Sequence, residues 1–323
     1  MIRVATIGTS TITERFADAV AHADGIRIEV AYSRGAERGA AFAEKIGAPR
    51  ASDDLGALLR SGEIDAVYVG SPNGAHAEQA RDAIDAGVHV FLEKPATPTA
   101  AEFEALVDHA KARGVIVFEG MRNVYDPGMA RVAELLPQIG PVRLVSFGQS
   151  QYSARYDLVL AGETPNIFDP ALAGGALFDL GVYPLSAIVH LFGAPTSVTG
   201  STVTIATGAD GAGAAVLTYP GLVGQVSFSK IGVSHRPNEI QGEWGTIEID
   251  EITAPREIAL SLRARGGAPA SHTADRIEGV ENNMVYEVQR FAALVRGEAD
   301  ATPDQQRTLA VLRAVEAIRG AGG

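Results

Sequence analysis

Val88-His89-Val90-Phe91-Leu92-Glu93-Lys94-Pro95 decides how this chain is read. An apolar run closes on a charged pair and a proline. Runs of this kind form strands buried on both faces of a parallel sheet, and open α/β sheets bind ligands beyond the carboxyl ends of such strands. Lys94 is therefore expected where a reacting group would lie, with Pro95 fixing the turn after it. A single Lys at a strand end is more often a surface residue, so the surrounding chain has to decide.

Upstream and downstream, short apolar runs alternate with helix-like segments, the signature of a parallel sheet with crossover helices. Strands are expected at Ile2–Ile7, Ile26–Tyr32, Ala66–Val69, Val88–Leu92 and Val115–Phe118. Helices are expected near Thr13–Ala23, Ala36–Ile46, Asp54–Arg60, Ala75–Ala86 and Thr99–Arg113. Ser52 or Asp53 can cap the third helix and Thr97 or Thr99 the fifth. Gly87 stands where a helix terminator belongs, directly before the strand that leads to Lys94.

After Gly120 the rhythm changes. A helix over Pro127–Leu136 precedes a long strand, Val142–Tyr152, and further strands follow at Ser197–Ala206, Ala212–Tyr219, Leu222–Ile231, Glu239–Gln241, Thr246–Ile249 and Glu257–Arg263. A helix over Leu177–Phe192 interrupts them, and helices near Asn282–Arg296 and Pro303–Arg319 end the chain. Turn pairs at Asp210-Gly211, Pro220-Gly221 and Trp244-Gly245 suggest a large, mainly antiparallel open sheet. The expected division is an α/β nucleotide-binding domain over residues 1–119 and an α+β domain over residues 120–323, with no internal repeat.

Composition narrows the function. The 323 residues carry a net charge of −12, with 46% hydrophobic and 20% charged residues. That leaves no basic footprint for nucleic acid and disfavours anionic membrane surfaces. No apolar run is read as approaching the ~18–20 residues of a membrane span. The chain has no cysteine, which removes disulfides and thiolate chemistry. Its seven histidines form no close pair at metal-ligand spacing, so no metal site is expected. His76 is placed at the cofactor-facing start of a helix and His190 in or near the core. No Gly-x-Ser-x-Gly elbow occurs, and Trp244 is read as a turn residue or a subunit-contact anchor. From Ile2 the chain reads as a strand rather than a secretory leader, so the expected location is cytoplasmic.

Gly8-Thr9-Ser10-Thr11-Ile12-Thr13 follows the first strand, in the place of a G-x-G-x-x-G dinucleotide loop. Only Gly8 is kept; Ser10 and Thr13 replace the other glycines. Ser10 is small enough for close backbone approach, and the helix opening at Thr11 and Ile12 offers N–H groups to an anion. An NAD site places an acid at the end of the second strand, to bind ribose. This chain has Ser33 and Arg34 there, with Arg38 one helical turn on, while Glu29 lies inside the strand. A hydroxyl with two arginines suits a 2′-phosphate, so NADP is favoured and NAD remains possible. The alternative is that Arg34 and Arg38 are solvated helix residues.

These features, with Ser71-Pro72-Asn73-Gly74-Ala75-His76 and Glu93-Lys94-Pro95, resemble the glucose–fructose oxidoreductase/inositol dehydrogenase/rhizopine-catabolism (Gfo/Idh/MocA) family over nearly the whole chain. Gly174-Gly175-Ala176-Leu177-Phe178-Asp179-Leu180-Gly181-Val182-Tyr183-Pro184 is similar to the Asp-x-Gly-x-Tyr signature of the branch with glucose–fructose oxidoreductase and dimeric dihydrodiol dehydrogenases. The resemblance implies a Rossmann domain followed by an α/β domain with a large open sheet, and NAD(P)-dependent oxidation or reduction of sugars and polyols. It implies that Ser71, Pro72, Asn73, His76, Glu93 and Lys94 border the cofactor. It also implies that Glu119–Pro127 lines the substrate pocket. There Val124 stands where that branch has Arg, with Arg122 and Asn123 as nearby substitutes.

Within that frame Lys94 is expected to polarise the substrate oxygen and Tyr183 to act as acid/base. Asp179, four residues before Tyr183, would share its helix face and orient the substrate hydroxyl or Lys94. The bland alternatives are a helix-start charge for Asp179 and a core position for Tyr183. A catalytically silent nucleotide-binding protein, sensing redox state or serving a partner, is the rival function. Val216, Leu217, Val223, Val226, Phe228 and Ile231 put many apolar side chains on strands with helices enough for one face. A homodimer or homotetramer through that sheet is therefore expected.

Overall fold

The computed structural model describes residues 1–320 and divides into two compact units. One comprises Met1–Met121 with Glu281–Leu309; the other comprises Arg122–Val280 with the chain from Ala310 onward.

In the first unit β1 (Ile2–Ile7), α1 (Thr11–Ala21), β2 (Ile26–Tyr32), α2 (Ala36–Ile46), β3 (Arg50–Ser52), α3 (Leu55–Arg60), β4 (Ala66–Val69), α4 (His76–Asp85), β5 (His89–Leu92), α5 (Ala100–Arg113) and β6 (Val117–Glu119) follow in turn. The strands form a six-stranded sheet in the order β3-β2-β1-β4-β5-β6, every pairing parallel. The order reverses between β1 and β4, the switch point where such sheets bind ligands. The apolar runs explain this arrangement, because β4 is buried throughout and β5 is buried after His89. Asp54, not Ser52 or Asp53, caps α3, its carboxylate accepting the Ala57 N–H at 2.8 Å. Thr99 opens α5 in a reciprocal cap with Glu102.

The aromatic core accounts for the division of the chain. Phe16 stacks on Tyr68 at 3.7 Å, and Phe91 meets Phe118 at 5.1 Å and Phe291 at 5.3 Å. Phe291 belongs to the helix Met284–Val295. Further along, Gln305 donates to the Val117 carbonyl and Thr308 to Glu119. The single boundary expected at 119/120 is thus corrected. Residues 281–309 return to close the aromatic face of β5 and β6.

The second unit holds α6 (Arg122–Tyr125), α7 (Pro127–Leu135), β7 (Val142–Ser150), α8 (Tyr156–Leu160) and a π turn, Leu177–Gly181, that runs into α9 (Val182–Phe192). Then come β8 (Ser197–Thr204), β9 (Asp210–Tyr219), β10 (Leu222–Ser229), β11 (Asn238–Gly242), β12 (Gly245–Ile249), β13 (Glu257–Leu262) and β14 (Ser271–Arg276). The eight-stranded sheet runs β14-β13-β12-β11-β7-β10-β9-β8, antiparallel except where β7 meets β10. The Asp210-Gly211 turn is corrected: Asp210 lies inside β9, where its carboxylate accepts the Leu177 N–H at 2.6 Å. The Trp244 side chain packs on Gly140 and under the Arg265 guanidinium, 3.8 Å from its ring.

Along β10, Leu222, Gly224, Val226 and Phe228 are buried while Val223, Gln225 and Ser227 are exposed. Of the apolar strand residues expected to need cover, Leu217, Val226 and Phe228 face the covered side. Val216 and Val223, 43% and 39% exposed, stand on the other. A concavity of about 840 Å³ on that outer face is edged by Ser146, Thr199, Ser201, Gln225 and Ser227. The absence of a span-length apolar run also needs correction. Pro170–Phe192 is long and apolar enough by composition, and most of it is buried in the unit. Its apolarity serves the core.

Candidate functional site

At the switch point Gly8 has φ +120°, and a Cβ there would lie 2.6 Å from the Gly70 carbonyl oxygen. Glycine is required on both counts. Ser10 is the extended residue before α1; its hydroxyl makes no cap and sits 3.4 Å from Thr13 Oγ1. The N–H groups of the turn opened by exposed Thr11 and half-buried Ile12 are left for an anion. Thr13, in the third glycine position, is fully buried. The close approach it would block is restored from the facing strand: a Cβ on Gly70 would meet Tyr68 Cε1 at 2.7 Å and Thr13 Oγ1 at 2.8 Å. Gly70 went unnoticed in the sequence, although a glycine directly after a wholly apolar strand is its signal.

At the end of β2, Ser33 is buried and its hydroxyl accepts from Arg38 Nε at 3.0 Å. Arg34 and Arg38 are exposed and have no carboxylate partner among the described residues. Glu29, further back in the strand, is paired with Arg27 at 2.7 Å. A glycine cradle that a Cβ would fill, an open helix start and two guanidinium groups without a carboxylate partner among the described residues fit a phosphorylated dinucleotide.

The loop after β5 is braced from below. Glu93 is buried, accepting the Tyr68 hydroxyl at 3.1 Å and the Lys94 N–H at 3.0 Å. His76 is fully buried; its Nδ1 lies 3.1 Å from the Pro95 carbonyl and its Nε2 2.9 Å from that of Ser71. Burial pushes this imidazole below its ordinary value, against the pull of the carbonyls. His76 thus ties the loop after β4, with Ser71, exposed Pro72 and half-buried Asn73, to the loop that carries Lys94. Glu119, which opens the segment expected to line the substrate pocket, accepts the Ala96 N–H at 2.9 Å, and burial pushes its carboxyl up. Lys94 itself is half-buried.

In the second unit the π turn is set by glycines. Gly175 has φ +138°, and a Cβ on Gly181 would sit 2.9 Å from Leu177 Cδ1 and 3.0 Å from Phe228. Asp179 lies on this turn and forms an ion pair with Lys230, whose side chain is 6% exposed against 31% for Asp179. Tyr183 follows on α9, nearly buried, with the Arg122 guanidinium 5.5 Å from its ring centre. Asn123 is buried and donates to the main-chain carbonyls of Tyr183 and Ile252 at 3.1 and 3.3 Å. Its amide N–H groups brace the start of α9, while its Oδ1 is buried without a hydrogen bond. His190, expected in the core, is exposed on the last turn of α9. Lys230 follows β10 as a lone cation, and nothing in the sequence marks it. The outer-face concavity lies across the sheet from these residues, since the π turn packs on buried Phe228. Among the described residues no group of His, Asp and Glu is placed to hold a metal ion.

Two family profiles match. The oxidoreductase family with NAD-binding Rossmann fold covers residues 2–121, and the GFO/IDH/MocA C-terminal domain covers residues 133–248. A scyllo-inositol 2-dehydrogenase (NADP(+)) of Bacillus subtilis is 38% identical over 92% of this chain and 89% of its own. A D-xylose 1-dehydrogenase (NADP(+)) of Haloferax volcanii is 32% identical over 88% of this chain and 86% of its own. In fold, the chain is similar to a 3-ketoreductase of Actinomadura kijaniata solved with NADP and TDP-benzene. The TM-score is 0.86 at 24% identity, covering 99% and 98% of the two chains. With both domains matched and relatives aligned over most of its length, this chain belongs to the GFO/IDH/MocA family of NAD(P)-dependent oxidoreductases.

Proposed function

We propose that the chain is an NADP-dependent enzyme that oxidises or reduces a sugar, a polyol or a related cyclic alcohol or ketone. The observation that carries this reading is the set of braced polar groups: Lys94 on a loop fixed by Glu93, His76 and Glu119, and Asp179 and Tyr183 on one continuous helical segment. The Arg38–Ser33 hydrogen bond, with Arg34 beside it, supports NADP over NAD. Relatives named for inositol and xylose, both with NADP(+), support the substrate class.

The nicotinamide, when bound, supplies or accepts the hydride. Gly8, Ser10 and the opening of α1 would hold the pyrophosphate, and Ser33, Arg34 and Arg38 the 2′-phosphate. Lys94 stabilises negative charge as it develops on the substrate oxygen. Tyr183 carries the hydroxyl proton, Asp179 orients the hydroxyl, and Arg122 contacts both Tyr183 and substrate. A catalytically silent binder would have no use for Lys94, Asp179 and Tyr183 together. We further propose a cytoplasmic location and a homodimer or homotetramer assembled through the outer face of the eight-stranded sheet. Fluorescence titration tests the cofactor assignment: NADPH is expected to bind more tightly than NADH, and equal or stronger NADH binding would overturn it.

A further inference from the structure

We infer that Lys230 is a positioning residue, which holds Asp179 ionised and aimed; this rests on the reading that Asp179 orients the substrate hydroxyl. Lys230 follows directly on β10, and its backbone is fixed on both sides. Its N–H donates to the Gly211 carbonyl at 2.8 Å, and its carbonyl accepts the Ser153 N–H at 2.9 Å. The side chain is sealed, with 5% of the residue exposed, and Nζ lies 5.8 Å from the centre of the Phe168 ring. From this fixed stem the ammonium reaches Asp179 Oδ2. Asp179 keeps a third of its side chain in the open, whereas Lys230 has almost none. The cation is therefore too deep to meet a ligand itself and acts through the carboxylate.

Other charges stand near the same turn. Asp210 accepts the Leu177 N–H at the start of the same turn, and burial pushes its carboxyl up, with Arg319 opposing. Arg319 lies over the Phe178 ring at 5.2 Å, and Arg122 lies over the Tyr183 ring. Lys230 forms an ion pair with Asp179. Removing the cation from an ion pair raises the proton affinity of the carboxylate it faces.

The test follows the Asp179 carboxyl carbon by NMR through a pH titration, with Asp179→Asn to assign the signal. In the wild type the midpoint is expected below the ordinary Asp value, and in Lys230→Met it is expected to move up. Lys230→Arg should stay near the wild type, and Lys230→Gln replaces the Met variant if that does not fold. The acid limb of kcat/KM should move in the same direction while NADPH affinity stays unchanged. A wild-type midpoint at or above the ordinary value, or one that Lys230→Met leaves in place, would overturn the proposal. Absence of turnover in the wild type would instead count against the functional reading, because the carboxyl titration needs no activity.

Discussion

Thr308 donates its hydroxyl to Oε2 of Glu119 at 2.8 Å, across 189 positions of sequence, while Oε1 of the same carboxyl accepts the Ala96 N–H at 2.9 Å. One buried group thus links the returning C-terminal helix to the loop that carries Lys94. Burial raises the Glu119 carboxyl above its unfolded value, with the Ala96 and Thr308 hydrogen bonds and Arg307 opposing. A raised folded-state pKa stabilises fully below the unfolded value, ~4.3, and that contribution is lost as pH rises through the folded-state value. Wild type should therefore lose stability relative to Glu119→Gln as pH rises from about 4 to about 8. Thermal unfolding across that range checks this; parallel curves for the two proteins would contradict it.

The cofactor end gives a prediction about selectivity. Arg38 is anchored by Ser33 and carries no carboxylate partner among the described residues. A charge-assisted contact of about 1.5–3 kcal/mol corresponds to about 10–100-fold in affinity. Arg38→Ala should weaken NADPH binding by that factor and leave NADH within about threefold. Equal losses for the two nucleotides, measured by fluorescence, would assign Arg38 a role unconnected with the 2′-phosphate.

A third prediction concerns the relocated glycine. Gly70→Ala would press a Cβ onto Tyr68 and Thr13, and should cost about 1–3 kcal/mol of stability as overpacking. Adding Thr13→Ala removes one of the two clashes and should restore part of the loss. Additive effects in denaturant unfolding would show that the two residues do not oppose each other.

The outer sheet face predicts assembly. A dimer at micromolar concentration should scatter with twice the 33.7 kDa mass of the chain. Val216→Asp combined with Val223→Asp should reduce it to monomer, because both side chains stand on that face. A wild-type monomer would remove the dimer from the account.

The nucleotide-binding unit was legible because its strands are short runs rich in Ile, Val and Ala between helix-like segments: Ile2–Ile7, Ile26–Tyr32 and Ala66–Val69 have the bounds read from sequence. Arg50–Ser52 escaped notice because three residues, two of them polar and none fully buried, carry no period, although they pair with β2. Ser271–Arg276 escaped for the same reason: it is an exposed edge strand held by backbone pairing to β13. Local pattern also could not show that Glu281–Leu309 returns to the first unit, since Phe291 finds Phe91 only through the fold. At the site, Lys94, Asp179 and Tyr183 stood out through motifs. Lys230 did not, because its partner Asp179 lies far away in sequence.

The central claim is hydride exchange that depends on Lys94. The most direct measurement is NADPH formation at its absorbance band, with NADP+ and a panel of inositols, aldoses and diols, in wild type, Lys94→Ala and Tyr183→Phe. Wild type should turn over at least one cyclic polyol or sugar. Each variant should lose about 100-fold or more, with NADPH still bound. Turnover that survives Lys94→Ala, or a wild type inert toward the whole panel, would contradict it.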